Sequence, residues 1–246
     1  MDRSDRRWLK RFGRATAPEV RLLCFHHAGG SAVIYRHWPQ LMPQYIEPVA
    51  VQLPGRADRF SEPPFDRMTP LVDELIDVIK PLFDLPFACY GVSMGARVAW
   101  ALTLALRERG MPMPRKLFVA ASRSPCHDNG SWPWEGRDDG LEGYLREMGG
   151  TPAQVLAEPE LVAGLLPTLG ADLTVLSTLD LHPTTPLHVP IRAFAGTDDD
   201  ESPPSRMDGW RLETSARFDL DAVPGGHFFD AAGEHQVIRT ISHDLA

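Results

Sequence analysis

The sequence predicts an α/β protein with a mostly parallel central sheet and helices on both of its faces. Short apolar segments of strand type alternate with longer segments whose apolar residues recur at helical spacing. Strands that are apolar throughout are typical of parallel sheets covered on both faces. A serine flanked by glycines, at residues 91–95, lies where one such strand gives way to a helix. This junction places the serine at the carboxyl edge of the predicted sheet.

Length and composition favour one soluble domain spanning residues 1–246. The hydrophobic share of 43% and the charged share of 24% are those of a globular protein. We expect no transmembrane helix, since apolar runs stay shorter than about 18 residues. The net charge of -8 argues against nucleic-acid binding. Residues 2–11 are basic but lack the apolar segment of a secretory signal, so we expect a cytoplasmic protein.

The three cysteines predict neither a disulfide framework nor a zinc site, because they are few and scattered. Cys24 and Cys89 fall in strand-like runs and are interpreted as reduced core residues. Cys126 precedes His127. A Cys-His nucleophile pair there is set aside, because adjacency in sequence rarely gives the geometry that such a pair needs.

The first half of the chain predicts three strands. Residues 1–19 form a polar lead-in, with a short helix pinned to the body by Trp8, Leu9 and Phe12. Strands are predicted at 20–25, 47–53 and 85–90, and helices at 38–42, 71–83 and 96–109. Pro54 and Gly55 close the second strand.

The second half contains a helical insertion between two strands of the sheet. A strand is predicted at 116–122, and the insertion, at about 123–186, carries helices at 141–148, 152–156 and 160–179. An insertion that begins after a strand's carboxyl end lies above that edge of the sheet, which makes it a candidate lid. Its apolar residues either line a pocket or pack the lid's own helices, and packing is the favoured interpretation for Leu145, Met148, Leu161, Leu165, Leu166, Leu169 and Leu176. Strands at 187–196 and 216–223 and a helix at 236–245 complete the chain.

The pentapeptide at 91–95 has the form G-x-S-x-G of a nucleophile elbow. In that turn the serine lies on a cramped strand-to-helix junction, where side chains at the two flanking positions would collide with backbone. Gly91 and Gly95 meet this requirement. The pentapeptide alone also fits an ordinary βα turn, so a catalytic interpretation needs a histidine and a carboxylate downstream.

Both groups are present in the required order. Serine needs a base to become a nucleophile, and the base needs a third group to hold its tautomer. His227 follows a Pro-Gly-Gly turn after the last strand, and Asp199 follows the strand that ends at Gly196. The order Ser93, Asp199, His227 is that of the α/β-hydrolase fold. We therefore predict a catalytic triad of these three residues.

Neighbouring residues compete for two of these roles. Asp198 and Asp200 flank Asp199, but neighbours in a turn point in different directions, so only one carboxylate can face the histidine. The other histidines near the insertion, His182 and His188, are interpreted as surface or packing groups.

The loop at 26–31 follows the first predicted strand and contains two glycines. In α/β hydrolases this loop donates one backbone N–H to the oxyanion hole, and the residue after the nucleophile donates the other. By position these donors are Ala28 and Met94. His26 and His27 invite a metal interpretation, which we discount because neighbours at a strand end point to opposite sides and no carboxylate or cysteine cluster completes a ligand set.

Five ordered segments, within a match running from about residue 8 to the end, resemble those of type II thioesterases. They are Cys-Phe-His-His-Ala-Gly-Gly-Ser-Ala at 24–32, Val-Gln-Leu-Pro-Gly-Arg at 51–56, Gly-Val-Ser-Met-Gly-Ala at 91–96, Gly-Gly-Thr-Pro at 149–152 and Pro-Gly-Gly-His-Phe-Phe at 224–229. The resemblance implies an α/β-hydrolase fold with a helical lid. It also implies hydrolysis of acyl thioesters carried on the phosphopantetheine arm of acyl or peptidyl carrier proteins, in polyketide or nonribosomal peptide synthesis.

The family's triad maps onto Ser93, Asp199 and His227, and its oxyanion amides map onto Ala28 and Met94. No cofactor or metal is implied, the carrier protein is a transient partner, and we expect a monomer that binds neither nucleic acid nor membrane. The sequence departs from the family at two positions. Val92 stands where histidine is common, and His26 stands where proline is common and is expected to reshape the mouth of the site.

Two other functions remain open. An acyltransferase or cyclase would use the same acyl-serine but pass the acyl group to an amine or hydroxyl. Such domains usually end a synthase, and a chain that begins at Met1 with a short lead-in favours a discrete editing enzyme. A binding protein on a hydrolase scaffold would have lost a triad residue, and none is lost here.

Overall fold

Seven strands form one sheet in the computed structural model, which describes residues 5–127, 134–179 and 185–246. The strands are β1 (Leu9–Lys10), β2 (Val20–Phe25), β3 (Ile46–Val51), β4 (Phe87–Val92), β5 (Leu117–Ala120), β6 (Ile191–Gly196) and β7 (Phe218–Val223). Their spatial order is β1-β3-β2-β4-β5-β6-β7. The pairing of β1 with β3 is antiparallel and all the other pairings are parallel. The predicted sheet is therefore confirmed.

Side chains alternate between two apolar clusters, one on each face of the sheet. Leu23 and Phe25 of β2 belong to the first cluster, whereas Leu22 and Cys24 belong to the second. Both faces are covered, which explains why the strands read as unbroken apolar runs. Cys24 and Cys89 are buried and unpaired, and burial raises the pKa of the Cys24 thiol well above its ordinary value.

Helices cover both faces, as predicted. They are α1 (Asp5–Trp8), α2 (Trp38–Leu41), α3 (Met68–Ile79), α4 (Met94–Glu108), α5 (Gly140–Met148), α6 (Ala153–Leu156), α7 (Pro159–Ser177), α8 (Pro204–Met207) and α9 (Ala231–Asp244). The apolar sides of α3 and α4 pack in the first cluster, and those of α2 and α9 pack in the second. Helices α5, α6 and α7 lie in the insertion between β5 and β6 and are called the lid helices below.

Helix α7 is long and apolar enough, by length and composition, to cross a membrane. The sequence argument missed this because it looked for an unbroken apolar run, and polar residues interrupt α7. Core helices of soluble proteins pass the same test. Here α7 buries Leu169, Leu173 and Leu176 in the first cluster, and it also buries Asp172. Packing against the protein core therefore explains the apolar side of this helix.

Two predicted elements differ from the structure at the edges of the sheet. The lead-in contains the short helix α1, but Leu9 continues into β1, which pairs with Val51 of β3. A two-residue strand has no periodicity to detect in a sequence. The strand predicted from residue 187 begins only at Ile191, because Pro190 supplies a carbonyl but no N–H to the ladder. Leu187 makes an isolated bridge with Thr214 instead.

Candidate active site

Ser93 lies on a strained turn between β4 and α4. Its φ is 54° and its ψ is -118°, a left-handed conformation that is costly for a residue with a side chain. The turn is held in place by the Ser93 N–H, which donates to the carbonyl of Ala120 at the end of β5 (2.8 Å). Strain of this kind is characteristic of the nucleophile elbow, which projects the hydroxyl above the sheet.

The flanking glycines are required by close backbone contacts. A Cβ atom on Gly91 would lie 2.2 Å from the carbonyl oxygen of Gly95. A Cβ atom on Gly95 would lie 2.1 Å from the carbonyl oxygen of Phe25 in β2. Backbone atoms cannot yield as a flexible side chain can, so the elbow needs glycine at both positions, as the sequence predicts.

The structure brings the three predicted triad residues into one hydrogen-bonded chain. His227 Nε2 lies 3.0 Å from Ser93 Oγ, and His227 Nδ1 lies 3.1 Å from Asp199 Oδ2. Because the carboxylate can only accept, Nδ1 carries the proton and Nε2 is left to accept from the serine hydroxyl. This arrangement allows the imidazole to act as a general base toward Ser93.

Asp199 is the aspartate of the 198–200 run that faces His227. It is 5% exposed, whereas Asp198 and Asp200 are exposed. Its Oδ1 accepts hydrogen bonds from the backbone N–H groups of Glu201 (2.9 Å) and Ser202 (3.0 Å), which leaves Oδ2 for the histidine. Burial alone would raise the pKa of Asp199, but the hydrogen bonds and the nearby imidazole more than offset it and lower that pKa.

The two predicted oxyanion residues line the cavity onto which Ser93 opens. Ala28 lies in the loop that follows β2, and Met94 is the first residue of α4, where the helix N-terminus favours a developing negative charge. That their backbone N–H groups donate hydrogen bonds to an oxyanion remains a prediction.

A cavity of about 420 Å³ extends from Ser93 and His227 beneath the lid helices. Five of the seven lid residues named from the sequence line it, and they are Leu145, Met148, Leu165, Leu169 and Leu176. The same residues also belong to or pack against the first apolar cluster. They therefore do both, and the favoured interpretation, that they only pack, is wrong for these five. Leu161 is 54% exposed, and Leu166 packs against the core.

The two departures from the family pattern lie in the core. Val92 is buried in the second apolar cluster. His26 is 1% exposed, it lines a small internal space together with residues of α4, and its Nε2 has no hydrogen-bond partner among the described residues. The expectation that His26 reshapes the mouth of the site is therefore wrong, since it is His27 that lines the cavity and packs edge-on against Phe228. Successive residues at a strand end point to opposite sides, which accounts for the difference.

Two of the remaining sequence candidates, His188 and Cys126, do not line the cavity at Ser93. His188 is exposed and within 3.3 Å of Ser215 Oγ, in keeping with its interpretation as a surface group, and His182 lies outside the described residues. Cys126 is exposed and contacts Ser124 Oγ. Within the described ranges, no group of three or more histidine, cysteine or acidic side chains is arranged to hold a metal ion.

Glu201 is a charged residue of the site that sequence reasoning missed. Glu201 lines the cavity, and burial, with the charge of Asp199, raises its pKa. Burial alone would lower the pKa of His227, but the hydrogen bond that its Nδ1 donates to Asp199 and the charges of Glu201 and Asp199 more than offset it and raise that pKa above 6.5. Glu201 directly follows the aspartate run, but it belongs to no sequence motif. Its effect on His227 depends on the conformation of the turn, which determines where the carboxylate lies.

We expect the acid limb of the kcat/KM profile to lie above pH 6.5, because His227 must be neutral to accept a proton and its pKa is raised. Glu201→Gln removes a negative charge that favours the imidazolium, so the limb should move to lower pH. Hydrolysis of an acyl-pantetheine thioester between pH 5 and 9 measures this. Asp200→Asn is the control, because water screens the charge of an exposed side chain. An unmoved limb in Glu201→Gln would contradict the assignment.

The parallel sheet, the strained serine turn and the Ser-His-Asp chain are those of serine hydrolases with the α/β-hydrolase fold. The thioesterase domain family model matches residues 20–245, and the chain belongs to that family. The sequence is 32% identical to gramicidin S biosynthesis protein GrsT of Aneurinibacillus migulanus, over 97% of this chain and 94% of that protein.

Two solved structures match most of the chain. The thioesterase RedJ, from the prodiginine pathway of Streptomyces coelicolor, superimposes with a TM-score of 0.85 at 33% identity and covers 94% of this chain and 87% of its own. The type II thioesterase BorB, from the borrelidin biosynthetic cluster, gives a TM-score of 0.86 at 31% identity and covers 97% of this chain and 98% of its own. The protein is therefore an enzyme that hydrolyses thioesters.

Proposed function

We propose that this protein is a type II thioesterase that removes acyl groups from the phosphopantetheine arm of acyl or peptidyl carrier proteins in polyketide or nonribosomal peptide synthesis. One observation carries the proposal. The hydrogen-bonded chain of Ser93, His227 and Asp199 opens onto an apolar cavity in a member of the thioesterase family. The names of the similar proteins GrsT, RedJ and BorB assign them to the biosynthesis of gramicidin S, prodiginine and borrelidin.

The first half of the reaction forms an acyl-enzyme. His227 Nε2 takes the proton of Ser93 as Oγ attacks the thioester carbonyl. The amides of Ala28 and Met94 hold the oxyanion, and loss of one such donor typically costs about 10² to 10³ in rate. When the carbon–sulfur bond breaks, the imidazolium returns its proton to the pantetheine thiolate, which leaves as the thiol.

The second half returns the free enzyme. A water molecule gives a proton to His227 and attacks the acyl-serine carbonyl, after which the proton passes to Ser93 Oγ and the carboxylic acid leaves. Asp199 holds the histidine tautomer throughout. Every group in this scheme comes from one chain, so a monomer suffices, and no step requires a metal or an organic cofactor.

The cavity favours an acyl chain as the group that is removed. Its lid side is formed by leucine, methionine and valine side chains, including Met148, Val155 and Leu173. Apolar walls of this kind gain free energy by burying hydrocarbon, at roughly 25 cal/mol per Å² of apolar surface. The carrier protein itself would remain outside, with its phosphopantetheine arm reaching the serine.

The test is product analysis with carrier proteins loaded with short acyl groups. We expect release of the free acid, with the acyl group passing transiently through Ser93, and slower turnover of the matching free pantetheine thioester because it lacks the carrier. An ester or amide product, formed when a hydroxyl or amine acceptor is supplied, would favour the acyltransferase instead. No turnover and no labelling of Ser93 by a fluorophosphonate would favour a binding protein.

A further inference from the structure

A buried ion pair joins the lid to the body of the protein. Arg56 lies in the Pro-Gly-Arg turn after β3, and Asp172 lies on α7 of the lid. The pair is bidentate, with Arg56 Nη1 2.6 Å from Asp172 Oδ2 and Arg56 Nη2 2.7 Å from Asp172 Oδ1. Arg56 is 6% exposed and Asp172 is 1% exposed. The triad mechanism uses neither residue.

The same carboxylate also binds the loop that supplies an oxyanion donor. The N–H of Gly29 donates to Asp172 Oδ2 at 2.7 Å, and Arg56 Nη1 donates to the carbonyl of Gly30 at 3.2 Å. Gly29 follows Ala28 directly and has a left-handed φ of 71°. The hydrogen bond therefore holds the residue next to the proposed oxyanion amide.

Stability alone is a weak reason for this arrangement. Removing two charges from water costs several kcal/mol per ion, and a buried pair is often no better for stability than well-packed apolar residues. A bidentate pair does, however, fix the directions of its atoms. Here the oxygen fixed by Arg56 is the one that accepts from the Gly29 amide.

We propose that Asp172 is a positioning residue, which holds the Gly29 amide and thereby sets the direction of the neighbouring Ala28 amide toward the oxyanion. Arg56 orients the carboxylate for this task. The oxyanion hole is then complete only while α7 is seated on the body. The inference rests on the proposed function, in which Ala28 stabilises the oxyanion.

A second link between the same elements provides a matched control. Thr168, one turn before Asp172 on α7, donates from Oγ1 to the carbonyl of Gly55 at 2.7 Å. This hydrogen bond joins the lid helix to the same turn but does not reach the loop after β2. Thr168→Val removes the bond with almost no change of shape.

The decisive comparison uses two double variants in the full chain. Arg56→Met/Asp172→Leu replaces the ion pair with apolar side chains and leaves Gly29 without an acceptor. Arg56→Met/Asp172→Asn also removes the ion pair but keeps an amide oxygen for Gly29. We expect the first to lose about 10²-fold in kcat, as for an ångström-scale misplacement of a catalytic group, with a much smaller change in KM. The second should lose clearly less, because Gly29 keeps an acceptor, although Arg56 no longer orients it. Thr168→Val should stay close to wild type.

Equal kcat values for the two double variants, at similar thermal midpoints, would overturn the positioning role and leave the proposed function intact. Absence of thioester hydrolysis by the wild type would overturn the proposed function instead. Amide hydrogen exchange at Gly29 tests the contact without relying on activity or on the folding of a variant. We expect slow exchange in the wild type and faster exchange in Arg56→Met/Asp172→Leu, and rapid exchange in the wild type would contradict the inference.

Discussion

Ser93→Ala is expected to lower kcat for acyl-carrier and acyl-pantetheine hydrolysis by about 10⁴-fold or more, because Ser93 is the proposed nucleophile that forms the acyl-enzyme. The substitution removes one oxygen atom and leaves the cavity, His227 and Asp199 in place. Substrate binding should therefore be retained, so that the loss appears in kcat and much less in binding. Steady-state kinetics, together with mass spectrometry of the trapped acyl-enzyme, measure both effects.

Ser31→Ala is the matched control for this experiment. Ser31 also lines the cavity, but its hydroxyl accepts a hydrogen bond from the Val33 amide at the start of a short 3₁₀ helix. It has no role in the proposed chemistry, so its loss should change kcat little. Hydrolysis by Ser93→Ala at the wild-type rate would show that the acyl group does not pass through this serine.

The ends of the strands explain why so much of the site is predictable from the sequence. Parallel strands present their carboxyl ends at one edge of the sheet, so residues that follow β4, β6 and β7 lie along the same edge, within reach of the loops that leave these strands. Ser93, Asp199 and His227 each follow one of these strands within a few residues. Their local turns contain glycine and proline, and their order along the chain predicts their roles.

The parts that the sequence does not predict depend on contacts between distant segments. Asp172 and Arg56 are 116 residues apart, and nothing in the periodicity of α7 distinguishes the buried Asp172 from an exposed acidic residue. The cavity wall raises the same difficulty. A leucine of an amphipathic helix has the same spacing whether it packs in the core or faces a pocket, and the lid leucines do both.

The orientation of His26 is another feature that the sequence does not predict. Its position at the end of β2 and its departure from the family pattern are visible in the sequence, but the side on which its ring lies is decided by the exact end of the strand. A shift of one residue exchanges the two faces. The ring lies in the core, where burial, together with the charge of Arg56, lowers the pKa of His26 well below 6.5.

Asp199→Asn is expected to lower kcat by about 10⁴-fold while the fold is kept, because it reverses the tautomer of His227. Oδ1 of Asp199 accepts from the backbone N–H groups of Glu201 and Ser202, so an asparagine must keep its amide oxygen on that side. Its NH₂ group then faces His227 Nδ1. A donor there favours the imidazole with its proton on Nε2, which cannot accept the proton of Ser93.

Asp198→Asn and Asp200→Asn make the matched controls, since these residues flank Asp199 in the same turn and are exposed. Both should retain kcat close to that of the wild type. Kinetics with an acyl-pantetheine thioester and thermal midpoints for the three variants separate the chemical effect from any loss of stability. A large loss in either control, or a small loss in Asp199→Asn, would mean that the carboxylate orienting His227 during turnover is a different one. Glu201, which also lines the cavity, would then be the next carboxylate to replace.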